Sequence, residues 1–121
     1  MINELETRLV EYSVSIIKLS ANLKNCEASQ VLKSQILRSG TSSALNYAEA
    51  QNAESKKDFI HKVRIAYKEL RETYLNLKIM EKAVLCRDMS LVYDLLVETG
   101  ELLAIFTSIL KTAKRNIHNN R

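Results

Sequence analysis

Apolar residues in the first segment fall at Ile2, Leu5, Leu9, Tyr12, Ile16, Leu19 and Leu23, in steps that alternate three and four. That spacing keeps one face of a helix against a partner. Asn3 stands where an N-cap belongs, and Glu6 three residues later completes a capping box. A helix is predicted over about 3–24. The polar run Lys24-Asn25-Cys26-Glu27-Ala28-Ser29 breaks the pattern and reads as a connection. A third segment repeats the first one's logic. Ser55 followed by Asp58 is another cap signature, and Phe59, Val63, Ala66, Leu70, Thr73, Leu77, Met80 and Val84 alternate four and three behind it. This predicts a helix over about 56–85, with a polar face dense in Lys, Arg and Glu.

The segment between them differs in kind. A helix over about 29–51 is predicted, yet its centre is Ser39-Gly40-Thr41-Ser42-Ser43-Ala44, almost all small residues. Small side chains let helix backbones approach closely, so packing must hold this helix in place against the intrinsic cost of glycine. A surface loop is the competing reading, but Leu32, Ile36, Leu37, Leu45 and Tyr47 flank the run without turn chemistry. After Cys86-Arg87-Asp88-Met89, a fourth helix is predicted over about 90–115, with a basic end that frays. It carries two stripes. One is Val92, Leu95, Thr99, Leu102, Phe106, Ile109 and Ala113, and the other is Leu96, Leu103, Leu110 and Ile117. The second stripe has two readings: a broad core face, or contact outside the bundle. Four helices with short connections favour antiparallel neighbours. The expected fold is therefore all-α, a single up-down-up-down four-helix bundle spanning residues 1–121.

Composition supports this. The 121 residues include no proline and only two glycines, Gly40 and Gly100, too few for a turn-rich protein. The start of the chain has no basic, apolar signal-peptide pattern. Leu102 to Leu110, the longest strongly apolar charge-free stretch, is too short to span a bilayer. A cytoplasmic protein without a membrane role is expected. Cys26 and Cys86 make neither a disulfide framework nor a zinc site, so two free thiols are expected.

No catalytic signature is present: there is no glycine-rich phosphate loop and no nucleophile elbow. A carboxylate metal site in such a bundle needs Glu-x-x-His on two helices. Asp58-Phe59-Ile60-His61 is only a distant cousin, so neither metal nor cofactor is expected. The polar residues that stand out are Gln35, Arg38, Asn46 and Glu49 near the small-residue run, with Glu69 and Glu72 in the third helix. If the connecting turn centres near 53, Arg38 faces Glu69 and Gln35 faces Glu72. These six form either a buried, paired cluster that fixes register or an ordinary solvated surface.

The same residues carry a family resemblance. The stretch Gln35-Ile36-Leu37-Arg38-Ser39 through Asn46-Tyr47-Ala48-Glu49-Ala50 resembles the central signature of the bacterial four-helix bundle family, also called the 23S rRNA intervening-sequence protein family. Ser55-Lys56-Lys57-Asp58-Phe59 and Ile65-Ala66-Tyr67-Lys68-Glu69-Leu70-Arg71-Glu72-Thr73 resemble its second signature. Ala50 departs from the family's usual glycine, and the proline common before the second helix is missing. The resemblance implies an up-down bundle that assembles into a homo-oligomeric ring, typically a pentamer. A branch similar in fold, the accessory variability determinant of diversity-generating retroelements, binds nucleic acid.

Two function classes follow. One is a non-enzymatic oligomeric scaffold that binds RNA or DNA through basic surfaces. The other is a protein-interaction adaptor without a nucleic-acid role. A net charge of +4 and a pI near 9.1 permit the first without demanding it. Its candidate contacts are Lys56, Lys57, Lys62 and Arg64, with Lys111, Lys114, Arg115 and Arg121 near the other end of the sequence. An antiparallel bundle brings both groups to one end.

Overall fold

The computed structural model describes residues 3–119, and side chains as far as Ile117. Four helices follow one another: α1 (Glu4–Ser20), α2 (Glu27–Gln51), α3 (Lys56–Ala83) and α4 (Met89–Asn119). They pack in the cyclic order α1–α2–α3–α4, with the α2–α3 contact the most extensive and the α1–α4 seam the thinnest. This is an all-α, antiparallel four-helix bundle. The predicted seams form its core: Leu9, Tyr12, Ile16 and Leu19 from α1, Val63, Ala66, Leu70, Leu77 and Met80 from α3, and Val92, Leu95, Leu102 and Phe106 from α4. Ile2 lies outside the described residues.

The caps are formed as their sequences require. The Asn3 side chain accepts from the backbone N–H of Leu5 and Glu6, and Ser55 accepts from Asp58. The α1 boundary falls short of expectation. Its helix stops at Ser20, because the next residues are engaged elsewhere. Leu23 pairs with Cys86 in an isolated bridge, and Lys24 N–H donates to the Leu85 carbonyl. The Asn22 side chain accepts from the backbone N–H of Asp88 and the Cys86 thiol. The two loops at this end are thus one hydrogen-bonded corner, which sequence periodicity does not encode. α3 ends earlier than 85 for a related reason: Val84 turns into the left-handed region at φ 53 and closes the helix. At the far end, α4 continues past 115 to Asn119.

Helix α2 depends on contact, as its composition demands. Gly40 lies against α1, and a Cβ built there would sit 2.8 Å from Ile16 Cγ1 and 2.9 Å from its Cγ2. Ile16 is fully buried and β-branched, so it has no room to yield. The second stripe of α4 also resolves. Leu96, Leu103 and Leu110 are half-buried and pack on the core, which fits the broad core face.

Two substitutions test this account. Gly40→Ala is expected to destabilise the bundle by about 2 kcal/mol through overpacking. Val84→Gly is expected to stabilise it by about 1 kcal/mol, because a left-handed valine is strained and this one is half exposed. Urea melts of the two variants should shift in opposite directions.

Candidate functional site

The interior is not wholly apolar. Tyr12, Ser39, Thr73 and Thr99, one from each helix, are buried in a shared layer. The Tyr12 hydroxyl lies 2.6 Å from Thr99 Oγ1, and Ser39 Oγ lies 2.8 Å from Thr73 Oγ1. Each threonine already donates to a carbonyl of its own helix, Thr99 to Leu95 and Thr73 to Glu69. With one proton apiece, the threonines accept in the cross-helix bonds, and Tyr12 and Ser39 donate. Burial pushes the Tyr12 phenol well above its ordinary value of 10.0. Every buried side-chain polar atom among the described residues has a partner. The layer is saturated, which suits register and not chemistry.

The six-residue polar group divides. Arg38 reaches Glu69 at 3.1 Å and Glu72 at 2.8 Å, joining α2 to α3. The pair lies at the surface, with the Arg38 side chain 59% exposed and Glu72 47%. Gln35 lines the same α2–α3 groove. Asn46 turns back to the Ser42 carbonyl, and Glu49 is exposed and paired with Lys62 at 3.1 Å. The six are therefore not one enclosed cluster.

The basic residues form a more coherent pattern than the sequence groups suggested. Lys57, His61, Arg64, Lys68, Arg71, Leu75, Lys78 and Lys82 follow one another along α3 in steps of four and three. That spacing is one helix face. All are exposed except Lys78, which is half-buried. The file runs for about 38 Å at 1.5 Å per residue. α3 holds eight lysines and arginines against four acids, an excess of four that equals the net charge of the whole chain. Three of those acids are paired: Glu69 and Glu72 share the single charge of Arg38, and Glu81 pairs with Lys78, itself a member of the file. The fourth, Asp58, sits in the first turn, where the helix dipole favours it. Among the described residues, Lys56, Lys57, Arg64, Lys68, Arg71 and Lys82 have no acidic partner.

Lys111, Lys114 and Arg115 are exposed on α4. The start of α3 and the end of α4 meet, since Phe59, Ile109 and Asn116 line one surface hollow. Arg121 lies outside the described residues. Sequence reasoning misses Lys68, Arg71, Lys78 and Lys82 because acids interleave with them. Their spacing is the available signal, and Arg38's capture of two of those acids is not. The α1–α4 groove mixes charges: Glu11, Asp94 and Glu98 stand beside Lys18, and Glu98 holds Arg8 in a two-bond pair.

The family model described as 23S rRNA-intervening sequence protein matches residues 4–105, most of the bundle. The chain belongs to that family. A crystal structure of a member of the S23 ribosomal protein family from Bacteroides thetaiotaomicron VPI-5482, a protein of unknown function, is similar to it. Its sequence is 34% identical and its TM-score 0.78, over 88% of this chain and 97% of that one. No curated protein matches. Among the described residues of this family member, no three His, Cys, Asp or Glu side chains converge as metal ligands, and no helix is long and apolar enough to cross a membrane.

The polar layer of this family member has a pH signature. The folded chain keeps the Tyr12 proton where the unfolded chain, titrating at its ordinary 10.0, loses it. The contribution is fully present below about pH 10 and declines as pH rises beyond it. Tyr12→Phe should cost about 1 kcal/mol at neutral pH, the lost hydrogen bond. It should also flatten the alkaline fall in stability, measured by urea melts from neutral pH upward.

Proposed function

We propose that this chain is a non-enzymatic helical-bundle scaffold that holds a nucleic-acid backbone along α3. The observation that carries the reading is the set of five cations along one face without an acidic partner, Lys57, Arg64, Lys68, Arg71 and Lys82, with three acids of α3 held in ion pairs and the fourth in its first turn. Phosphates are attracted by such a row without any base contact, and binding then depends on release of condensed counterions. RNA and DNA are both accommodated, because the backbone phosphates the file would contact are common to both. The cations at the end of α4 extend the file at the end where α3 begins. Assembly of several copies would repeat the file and raise avidity even where each contact is weak. Free thiols at Cys26 and Cys86 are in keeping with a cytoplasmic setting.

The test is binding of a fluorescent RNA and a DNA of mixed sequence across a salt series. Affinity is expected to fall steeply with salt and to depend little on sequence. Lys68→Glu with Arg71→Glu should weaken binding by about tenfold or more and lower the salt slope by about one for each phosphate no longer neutralised. Lys111→Glu, Lys114→Glu and Arg115→Glu together should weaken it further without changing the melting curve. Binding unaffected by both sets, or absent at low salt, favours the protein-interaction adaptor instead.

A further inference from the structure

The cationic file of α3 is interrupted by one aliphatic residue. Leu75 stands between Arg71 and Lys78 and is 53% exposed. Ile79, one turn on, is 51% exposed, and both side chains wall the groove between α2 and α3. Exposed singly, such side chains are ordinary on a surface. Here they share a groove with Gln35, Arg38, Glu72 and Asn76. Asn76 is only 7% exposed, and its Nδ2 donates to the Glu72 carbonyl at 3.1 Å. Among the described residues its oxygen has no hydrogen-bond partner, yet no enclosed side-chain polar atom there is unpaired, so this oxygen is open to the groove. A largely buried amide thus keeps an acceptor oxygen and one N–H to offer a ligand.

The groove does not suit a phosphate. Its one guanidinium, Arg38, is already shared by two carboxylates, Glu69 and Glu72. What suits it is a neutral, flat group with an apolar face and a hydrogen-bonding edge. Such a group must also hang from an anionic chain, because Lys68, Arg71 and Lys82 stand along the neighbouring ridge without acidic partners. The geometry points to an unstacked nucleobase in the α2–α3 groove, its face on Leu75 and Ile79 and its edge on Asn76 and Gln35, with the phosphates of its strand along Lys68, Arg71 and Lys82. Every base edge carries both a donor and an acceptor, and an amide meets either, so the groove takes any base. Duplex bases are paired and stacked away from a protein surface, whereas a single strand can splay them outward. Resting on α3 as the path of the backbone, this contact narrows the ligand class to single-stranded RNA or DNA.

Three fluorescent probes of equal length test it: a single strand of mixed sequence, the corresponding duplex, and an abasic single strand with the same sugar-phosphate chain. At low salt the mixed single strand is expected to bind about fivefold tighter or more than either of the others. Counterion release by itself favours the duplex, whose charge is denser, so this order cannot come from the cations alone. Leu75→Ser with Ile79→Ser should bring the mixed strand down to the level of the abasic one. Both positions are exposed, so the melting curve of that variant should match the wild type. Lys68→Glu with Arg71→Glu should instead weaken all three probes. An abasic strand bound as tightly as the mixed one, a duplex bound as tightly or more so, or a serine variant that keeps the preference would overturn the base contact. Any of these with a steep salt dependence leaves the α3 reading standing, and failure of every probe to bind at low salt overturns both.

Discussion

Four buried hydroxyls fix how the helices stand against one another. Tyr12 donates to Thr99 across the thinnest seam, and Ser39 donates to Thr73 across the most extensive one. Each bond adds only about 1 kcal/mol net, but a slipped helix would strand its hydroxyl in an apolar interior at a cost of about 1–3 kcal/mol. The layer therefore contributes more to uniqueness than to stability. Ser39 and Gly40 are neighbours, so the hydroxyl that sets the α2–α3 register adjoins the gap that lets α1 close on α2. Moving one moves the other. With register set, Arg38 comes level with Glu69 and Glu72 and holds both beside the cationic face of α3.

The helices themselves were legible because they rest on local rules. The seam of α1 and the caps at Asn3 and Ser55 need only periodicity and a hydrogen-bonding side chain three residues from its target. The end of α1 was not legible, because Asn22 and Leu23 are held by residues more than sixty positions away. The small-residue run pointed to close approach, though not to Ile16 as the side chain approached. The hydroxyl layer was hidden in plain view: Thr73 and Thr99 fit the core stripes by spacing, and only three dimensions show that they, Tyr12 and Ser39 share one level.

The functional surface was legible in outline only. Sequence alone offered two basic groups, at the start of the third helix and the end of the fourth, and both lie where expected relative to each other. It did not separate the cations that are free from those that are engaged. Lys62 reads as free in the sequence but pairs with Glu49, while Lys68 and Arg71 are masked there by Glu69 and Glu72. Charge on a helix acquires meaning from its neighbours, and Arg38 belongs to another helix.

The thin α1–α4 seam joins the two ends of the chain. Tyr12 and Thr99 are 87 residues apart, and Arg8 and Glu98 are 90 apart. The broad α2–α3 contact is made across a connection of a few residues. Loop-closure entropy makes the central hairpin the nucleus easiest to form and the terminal seam the contact hardest to reach. Folding outward from α2 and α3 would then secure the α1–α4 seam last. In the folded chain the same ordering would run in reverse, with amide protons along the α1–α4 seam expected to exchange before those between α2 and α3.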